Sequence, residues 1–193
     1  MLAVAASENE RDQELDFLGL LLLWDPPRAE VPDAIARAQA TGIRVLMISG
    51  DHPATAGVVA HAIGIQGERV LTGAELDALP AAELTAAVRE VNVFARVAPE
   101  HKLRLVETLK ADGQVVAMTG DGVNDAPALK RSDVGVAMGQ RGSDVTREAA
   151  DLVLLDDNFA PLSRPSRKGA VSTRTSRNSS ASCSRPISHW CCW

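Results

Sequence analysis

The chain has 193 residues, 46% hydrophobic and 23% charged, with a formal net charge of −5. This is the make-up of one globular domain with a continuous core, and it excludes global disorder, collagen-like repeats and coiled coils. Residues 1–160 hold all 25 acidic groups and 14 Lys or Arg, while residues 161–193 hold six Lys or Arg and no acid, so an acidic body precedes a basic tail and nucleic acid is a poor partner for the body.

Residues 2–6 are apolar but too short for a secretion signal. Residues 15–24 are apolar and predict a buried strand, stopped by Asp25-Pro26-Pro27-Arg28, where two residues lack a backbone donor and a hinge or rigid turn belongs. This run falls short of the roughly 20 residues that cross a bilayer, so no membrane contact by the chain itself is expected. From Val31, the spacing of Ala34, Ile35 and Ala38 predicts a helix that ends at Thr41-Gly42. Residues 43–48 read as a buried strand, Ser49-Gly50-Asp51-His52 as a turn, and Pro53 as the first position of a helix with Ala56, Val59, Ala60 and Ile63 on one side.

The strand, polar loop, helix order then returns. Residues 82–89 predict a helix, 91–95 a strand, and 99–111 a helix with Leu103, Val106 and Leu109 inward. Residues 115–118 predict a strand, 119–125 a loop, and a helix starts at Ala126 or Pro127. Residues 134–138 and 152–155 add two short strands. Strands apolar on both faces that alternate with helices argue for an α/β fold, a parallel sheet flanked by helices, with ligands in the loops at the strands' carboxyl ends.

Two of those loops carry chemistry. Ser49-Gly50-Asp51 taken alone is an ordinary turn. The run Thr119-Gly120-Asp121-Gly122-Val123-Asn124-Asp125 exceeds what a turn requires. Its glycines allow close backbone approach to a ligand, and exposed amides at the following helix favour an anion. Asp121 and Asp125 are hard oxygen ligands suited to Mg²⁺, and Lys102 could neutralise a phosphoryl oxygen, although a lone lysine on a helix is commonly a solvated side chain. Asp125 stands where a dinucleotide fingerprint needs glycine, and no P-loop occurs. The combination points to phosphoryl transfer, in which catalysis is mostly positioning and charge stabilisation.

The string from Thr119 to Leu129, with Pro127 inside it, resembles the hinge-loop signature of P-type cation-transporting ATPases. Asp25-Pro26-Pro27-Arg28, Met47-Ile48-Ser49-Gly50-Asp51, residues 95–102, residues 133–139 and residues 150–159 resemble further blocks of that family in the family's order, over roughly 15–160. The Asp-Pro-Pro-Arg form and the Asp-Asp-Asn-Phe ending are most similar to the calcium and sodium/potassium pump branch. The resemblance implies a haloacid-dehalogenase-like Rossmannoid sheet, with Mg²⁺ and ATP as cofactors. It implies that Asp121 and Asp125 form the metal site, that Asn124 and Asp125 orient the metal and phosphoryl group, and that Lys102 contacts that group. Ser49 stands where the family usually has threonine and keeps the hydroxyl; Gly50 and Asp51 match. Gly120 and Gly122 belong to the phosphoryl-binding loop, and Asp25 and Arg28 to the hinge near the ATP phosphates.

The family's phosphorylated aspartate lies in an Asp-Lys-Thr-Gly-Thr motif that this sequence lacks. The resemblance therefore implies a C-terminal part of a phosphorylation domain: residues 1–24 as the end of a nucleotide-binding domain and hinge strand, 25–160 as the phosphorylation domain without its first strand, and 161–193 as a tail. The expected partners are the missing N-terminal part of the pump and, in the parent, ATP and a transported cation. The expected location is a cytoplasmic domain of a membrane protein, the fragment alone being soluble or aggregated in the cytoplasm. The tail, with nine serines, no acid and no apolar period, predicts disorder or an out-of-frame product. Cys183, His189, Cys191 and Cys192 approach a zinc ligand count, but adjacent cysteines seldom reach one ion. The other readings weighed are a stand-alone phosphatase of the same superfamily, which needs its own nucleophilic aspartate, and a non-catalytic Mg²⁺-binding remnant.

Overall fold

The computed structural model describes residues 2–7, 15–22, 26–67, 69–158 and 189–192. Two sheets form. Strands β1 (Leu2–Ala6) and β2 (Asp16–Leu21) make an antiparallel ribbon with a register shift between Val4 and Ala5. The other sheet has seven strands, all parallel: β3 (Arg44–Ile48), β4 (Val70–Thr72), β5 (Val93–Ala95), β6 (Val116–Gly120), β7 (Val134–Met138), β8 (Leu152–Leu154) and β9 (His189–Cys192). Their spatial order is β4-β5-β3-β9-β6-β7-β8.

The two-residue period of a strand divides the core between the faces of this sheet. Leu46, Ile48, Phe94, Val116 and Met118 join the core beneath α3 (Gly73–Ala78), α4 (Ala81–Glu90), α5 (Pro99–Ala111) and α6 (Ala126–Arg131). Val45, Met47, Val93, Ala95 and Ala117 face the other way, toward α1 (Val31–Ala40) and α2 (Pro53–Ala62). A further helix, α7 (Asp144–Ala149), lies between β7 and β8 in the chain. Both faces of β3 are therefore buried, which is why residues 45–48 read as an unbroken apolar run.

The helices follow their sequence signals. The inner side of α1 is Ala34, Ile35 and Ala38, and Gly42 closes the helix at φ +84°, a conformation that favours glycine. Pro53 and Pro99 each begin a helix, where no intrahelical donor is needed. The short pair β4 and α3 is absent from the sequence reading. It is marked by a capping box in which the Glu75 N–H donates to Thr72 Oγ1 at 3.3 Å and the Thr72 N–H donates to Glu75 Oε2 at 2.7 Å.

Two sequence expectations are corrected. Of residues 15–24, Asp16–Leu21 form a strand, β2, but it is not buried: Phe17 and Leu18 are each 65% exposed, and Leu20, Leu21 and, just past the strand, Leu22 are exposed as well. The strand pairs only with β1, and no helix covers the ribbon among the described residues. The second concerns the tail, read as a segment without an apolar period: four of its residues enter the middle of the sheet. Residues 189–192 take that place as β9, pairing with β3 on one side and β6 on the other. Residues 159–188 lie outside the described residues.

Candidate functional site

The loops after β3 and β6 open at the carboxyl ends of two parallel strands separated by one strand, where an open α/β sheet presents its ligand crevice. Ser49 is buried at the end of β3. Its N–H donates to Phe94 O at 2.8 Å, and its carbonyl accepts from Val97 N at 3.1 Å. Its hydroxyl donates to Asp51 Oδ2 and accepts from the Asp51 N–H, both at 3.1 Å. The Arg96 N–H donates to Asp51 O at 3.0 Å, so the turn is stitched to the end of β5. His52 Nδ1 then accepts the Ala54 N–H at 3.3 Å and caps α2.

The loop after β6 is built around a buried ion pair. Lys102 Nζ donates to Asp125 Oδ1 at 2.6 Å, with the two residues only 6% and 2% exposed. Neither charge is sustainable alone at that burial, so each requires the other. The Gly122 N–H donates to Asp125 Oδ2 at 3.3 Å and the Asp125 N–H to Gly122 O at 2.9 Å, closing a single 3₁₀ turn over Val123–Asp125. Gly120 is required by this approach: a Cβ there would fall 2.6 Å from the Asp125 Cβ. Lys102 is brought in by α5, whose start is held by the Ala98 N–H donating to His101 Nδ1 at 2.9 Å. His101 Nε2 in turn meets Asp77 Oδ1, also at 2.9 Å.

Asp121 is held by its backbone. Its carbonyl accepts from Ser143 N at 2.9 Å, and buried Thr146 donates through Oγ1 to Gly122 O at 3.0 Å, with Asp121 O at 3.3 Å. The half-buried Asp121 carboxylate has no hydrogen bond or ion pair to protein among the described residues. One carboxylate is thus tied to a lysine and its neighbour is left available on a fixed backbone. That all-oxygen arrangement fits Mg²⁺, which takes one or two carboxylates and keeps several waters. No cluster of three or more His, Cys, Asp or Glu side chains is present among the described residues, so a cage for a fully dehydrated ion is not formed there. Asn124 is exposed on the same loop.

Lys102, Gly120, Asp121, Gly122, Asn124 and Asp125 therefore meet in one place, and Ser49, Gly50 and Asp51 stand at the end of β3, across β9 from β6. Arg28 does not touch these residues directly; it reaches the loop after β8. Its Nη1 donates to Asp157 O at 2.9 Å, and its Nη2 lies 3.8 Å from Asp157 Oδ2. Asp157 also accepts the N–H groups of Gln140 and Arg141, at 3.0 and 3.2 Å. The loop so anchored leads into Ser143, the cap of α7 and the donor to Asp121. Asp25 lies outside the described residues. Sequence reasoning missed Ser143, Thr146 and Asp157. The first two were signalled by the spacing of an N-cap serine and the residue whose N–H it accepts, at 3.2 Å.

The profile of the haloacid dehalogenase-like hydrolase family matches residues 3–133. The chain is 48% identical over 160 residues to calcium-transporting ATPase 1 of Bacillus cereus, a match covering 82% of this chain and 18% of that protein. It is 49% identical over 168 residues to cation-transporting ATPase F of Mycobacterium tuberculosis, covering 84% and 19%. Against the calcium-transporting ATPase of Bacillus subtilis it is 46% identical over 165 residues, covering 84% and 18%. The chain spans about a fifth of the length of these curated relatives. No helix among the described residues is long and apolar enough to cross a membrane.

Proposed function

The chain belongs to the haloacid dehalogenase-like hydrolase family, with calcium- and cation-transporting P-type ATPases as relatives, and from that premise we propose that it supplies the magnesium- and phosphoryl-binding loops of such a pump. The observation that carries the reading is the buried Lys102–Asp125 pair beneath a glycine-bearing loop whose Asp121 carboxylate is not engaged by protein among the described residues.

In this reading Asp121 holds Mg²⁺, with Asp125 as the second carboxylate at the base of the loop. When bound, the ion neutralises charge on the phosphoryl oxygens. Lys102 adds a cation fixed by Asp125, so its charge is positioned before substrate arrives and no reorganisation is needed during the reaction. Ser49 offers its hydroxyl and Gly50 its amide to a phosphoryl oxygen from the neighbouring strand, while Asn124 orients the group from the rim. Asp25 and Arg28 form the hinge toward the nucleotide. The sequence contains no Asp-Lys-Thr-Gly-Thr, so the aspartyl phosphate forms on the part of the pump that this chain does not include. ATP, the transported cation and the rest of that polypeptide are partners of the whole pump, and the loops face its cytoplasmic side.

The test is calorimetric titration with inorganic phosphate, with and without Mg²⁺, together with incubation in γ-labelled ATP. The account predicts Mg²⁺-dependent phosphate binding that weakens in Ser49→Ala and no covalent label on the chain. Label on the chain, or hydrolysis of p-nitrophenyl phosphate by the chain alone, would instead make it a phosphatase with its own nucleophile.

A further inference from the structure

Helix α5 starts without the side chain that a helix start commonly supplies. Its N-cap is Ala98 and its first residue Pro99, so neither position offers an acceptor to the amides of the first turn. His101, at the third helical position, makes the return half of a capping box, a part usually played by Glu or Gln: its Nδ1 accepts the Ala98 N–H at 2.9 Å. The Ala98 carbonyl in turn accepts the N–H groups of His101 and Lys102, at 3.0 and 3.4 Å. The main chain of Lys102 is therefore tied to a residue that the His101 ring holds.

That bond also fixes the state of the ring. A main-chain N–H can only donate, so Nδ1 is the unprotonated nitrogen and Nε2 carries the proton that meets Asp77 Oδ1 at 2.9 Å. Asp77 belongs to α3, and α3 is fastened to α5 one turn further along: Arg104 Nη1 and Nη2 donate to Leu76 O and Leu79 O, at 2.8 and 3.0 Å, and Nη1 lies 3.8 Å from Asp77 Oδ1. Gly73 gives the ring its room, since a Cβ there would fall 2.8 Å from His101 Cε1 and Nδ1. His101 is buried, whereas the Asp77 side chain is 65% exposed. Lys102 follows directly, and its ammonium reaches Asp125 Oδ1 from a backbone that this first turn places. We propose that His101 is a positioning residue for Lys102: as the Nε2-protonated tautomer it locks the start of α5 against α3 and so sets where the ammonium meets Asp125 and the phosphoryl site. A ring with one proton suits this because it accepts from the main chain and donates to Asp77 at once. The inference rests on the reading of Lys102 as the phosphoryl-contacting cation, but its effect on the Asp125 loop can be read without any ligand.

Nitrogen NMR of the imidazole in the full, unaltered chain at mildly alkaline pH should show Nδ1 as an unprotonated acceptor and Nε2 as a protonated donor; a proton on Nδ1 overturns the proposal. In His101→Leu the amides of Gly122 and Asp125, bonded to Asp125 Oδ2 and Gly122 O, should exchange about tenfold faster, while Val106 within α5 and Gly139 on its bond to Leu154 keep their protection. His101→Gln, whose amide can both accept from Ala98 and donate to Asp77, should hold all four amides within about twofold. Mg²⁺-dependent affinity for inorganic phosphate should follow the same order, falling about tenfold in the leucine variant and recovering with glutamine. A histidine that serves folding alone would lower the urea midpoint and leave phosphate affinity and the two loop amides unchanged, and that result overturns the proposal, as does His101→Gln behaving like His101→Leu. If His101→Leu does not fold, Asp77→Ala decides, since its side chain is largely exposed: exchange at Gly122 and Asp125 should rise about threefold, and unchanged exchange overturns the clamp. Failure of the unaltered chain to bind phosphate would sink the reading of Lys102 as a phosphoryl contact, with the loop amides still deciding whether His101 positions it.

Discussion

Residues 17–21 and 45–48 are both apolar runs within strands, yet they meet opposite fates. In β2, Phe17 and Leu18 stand 65% exposed, whereas in β3 Leu46 is 0% exposed. The difference lies in the neighbours rather than in the strands. α1 precedes β3 and α2 follows it, each joined to it by a polar turn, and the two cover one face, while α3, α4, α5 and α6 cover the other. Further along the chain from β2 come Pro26 and Pro27, which have no amide to give, and among the described residues β2 keeps a single partner strand. An apolar run thus specifies extended chain, and burial has to be granted by the elements that flank it.

The contrast can be broken by putting the same change in both strands. Leu46→Ala removes a fully enclosed side chain from the core and should cost about 2–5 kcal/mol in urea unfolding. Leu20→Ala should leave the midpoint within about 0.5 kcal/mol and lower the tendency to aggregate, since it trims an exposed apolar edge. Equal losses at the two positions would mean that the ribbon is covered in solution and the comparison fails.

Charge pairs sharpen the same point. Lys102→Met leaves the Asp125 carboxylate buried without its cation and should destabilise by about 3–5 kcal/mol. The double variant Lys102→Met with Asp125→Leu should recover much of that loss, because no uncompensated charge remains. Arg89, whose exposed side chain donates through Nε to Asp112 Oδ2 at 3.0 Å, is the comparison: Arg89→Met should lower the unfolding midpoint only slightly, well under the loss at Lys102. Gly120→Ala tests the loop itself. The added methyl meets the Asp125 Cβ, so the variant should lose Mg²⁺ affinity and some stability, of the order of 1–3 kcal/mol.

The smallest effect is at the cap of α3. The Thr72 hydroxyl, followed by the Thr72 N–H, holds the Glu75 carboxyl below its ordinary value. A depressed carboxylate contributes stability above its unfolded value and loses it as pH falls through the folded one. The stability lost on Thr72→Ala, about 1 kcal/mol at neutral pH for such a cap, should therefore shrink on acidification below about pH 4. A loss independent of pH would assign the cap to the hydroxyl alone.

Much of the α/β body was legible. The helix that carries Ala34, Ile35 and Ala38 and the strand at 134–138 match their patterns because period and burial coincide there. The loop from Gly120 to Asp125 was legible because its composition exceeds the needs of a turn. The Lys102–Asp125 pair was not derivable from spacing, since only the packing of α5 beside β6 brings residues 23 positions apart together. Asp157 was hidden for a similar reason: it sits at φ +54° after β8, and its role lies in amides of Gln140 and Arg141 on a different loop. The strand β9 was the least legible, because a serine-rich basic segment without an apolar period gives no local signal that residues 189–192 enter the centre of a sheet.

The account rests on Asp121 as the carboxylate left free for a metal on a loop that Lys102 and Asp125 hold in place. A Mg²⁺ titration of the full chain followed by backbone amide shifts tests it most directly. Saturable shifts confined to residues 120–125 and their contacts at Ser143 and Thr146, abolished in Asp121→Asn with the fold retained, are the predicted result. Shifts that survive Asp121→Asn, or that centre on another part of the sheet, would contradict it.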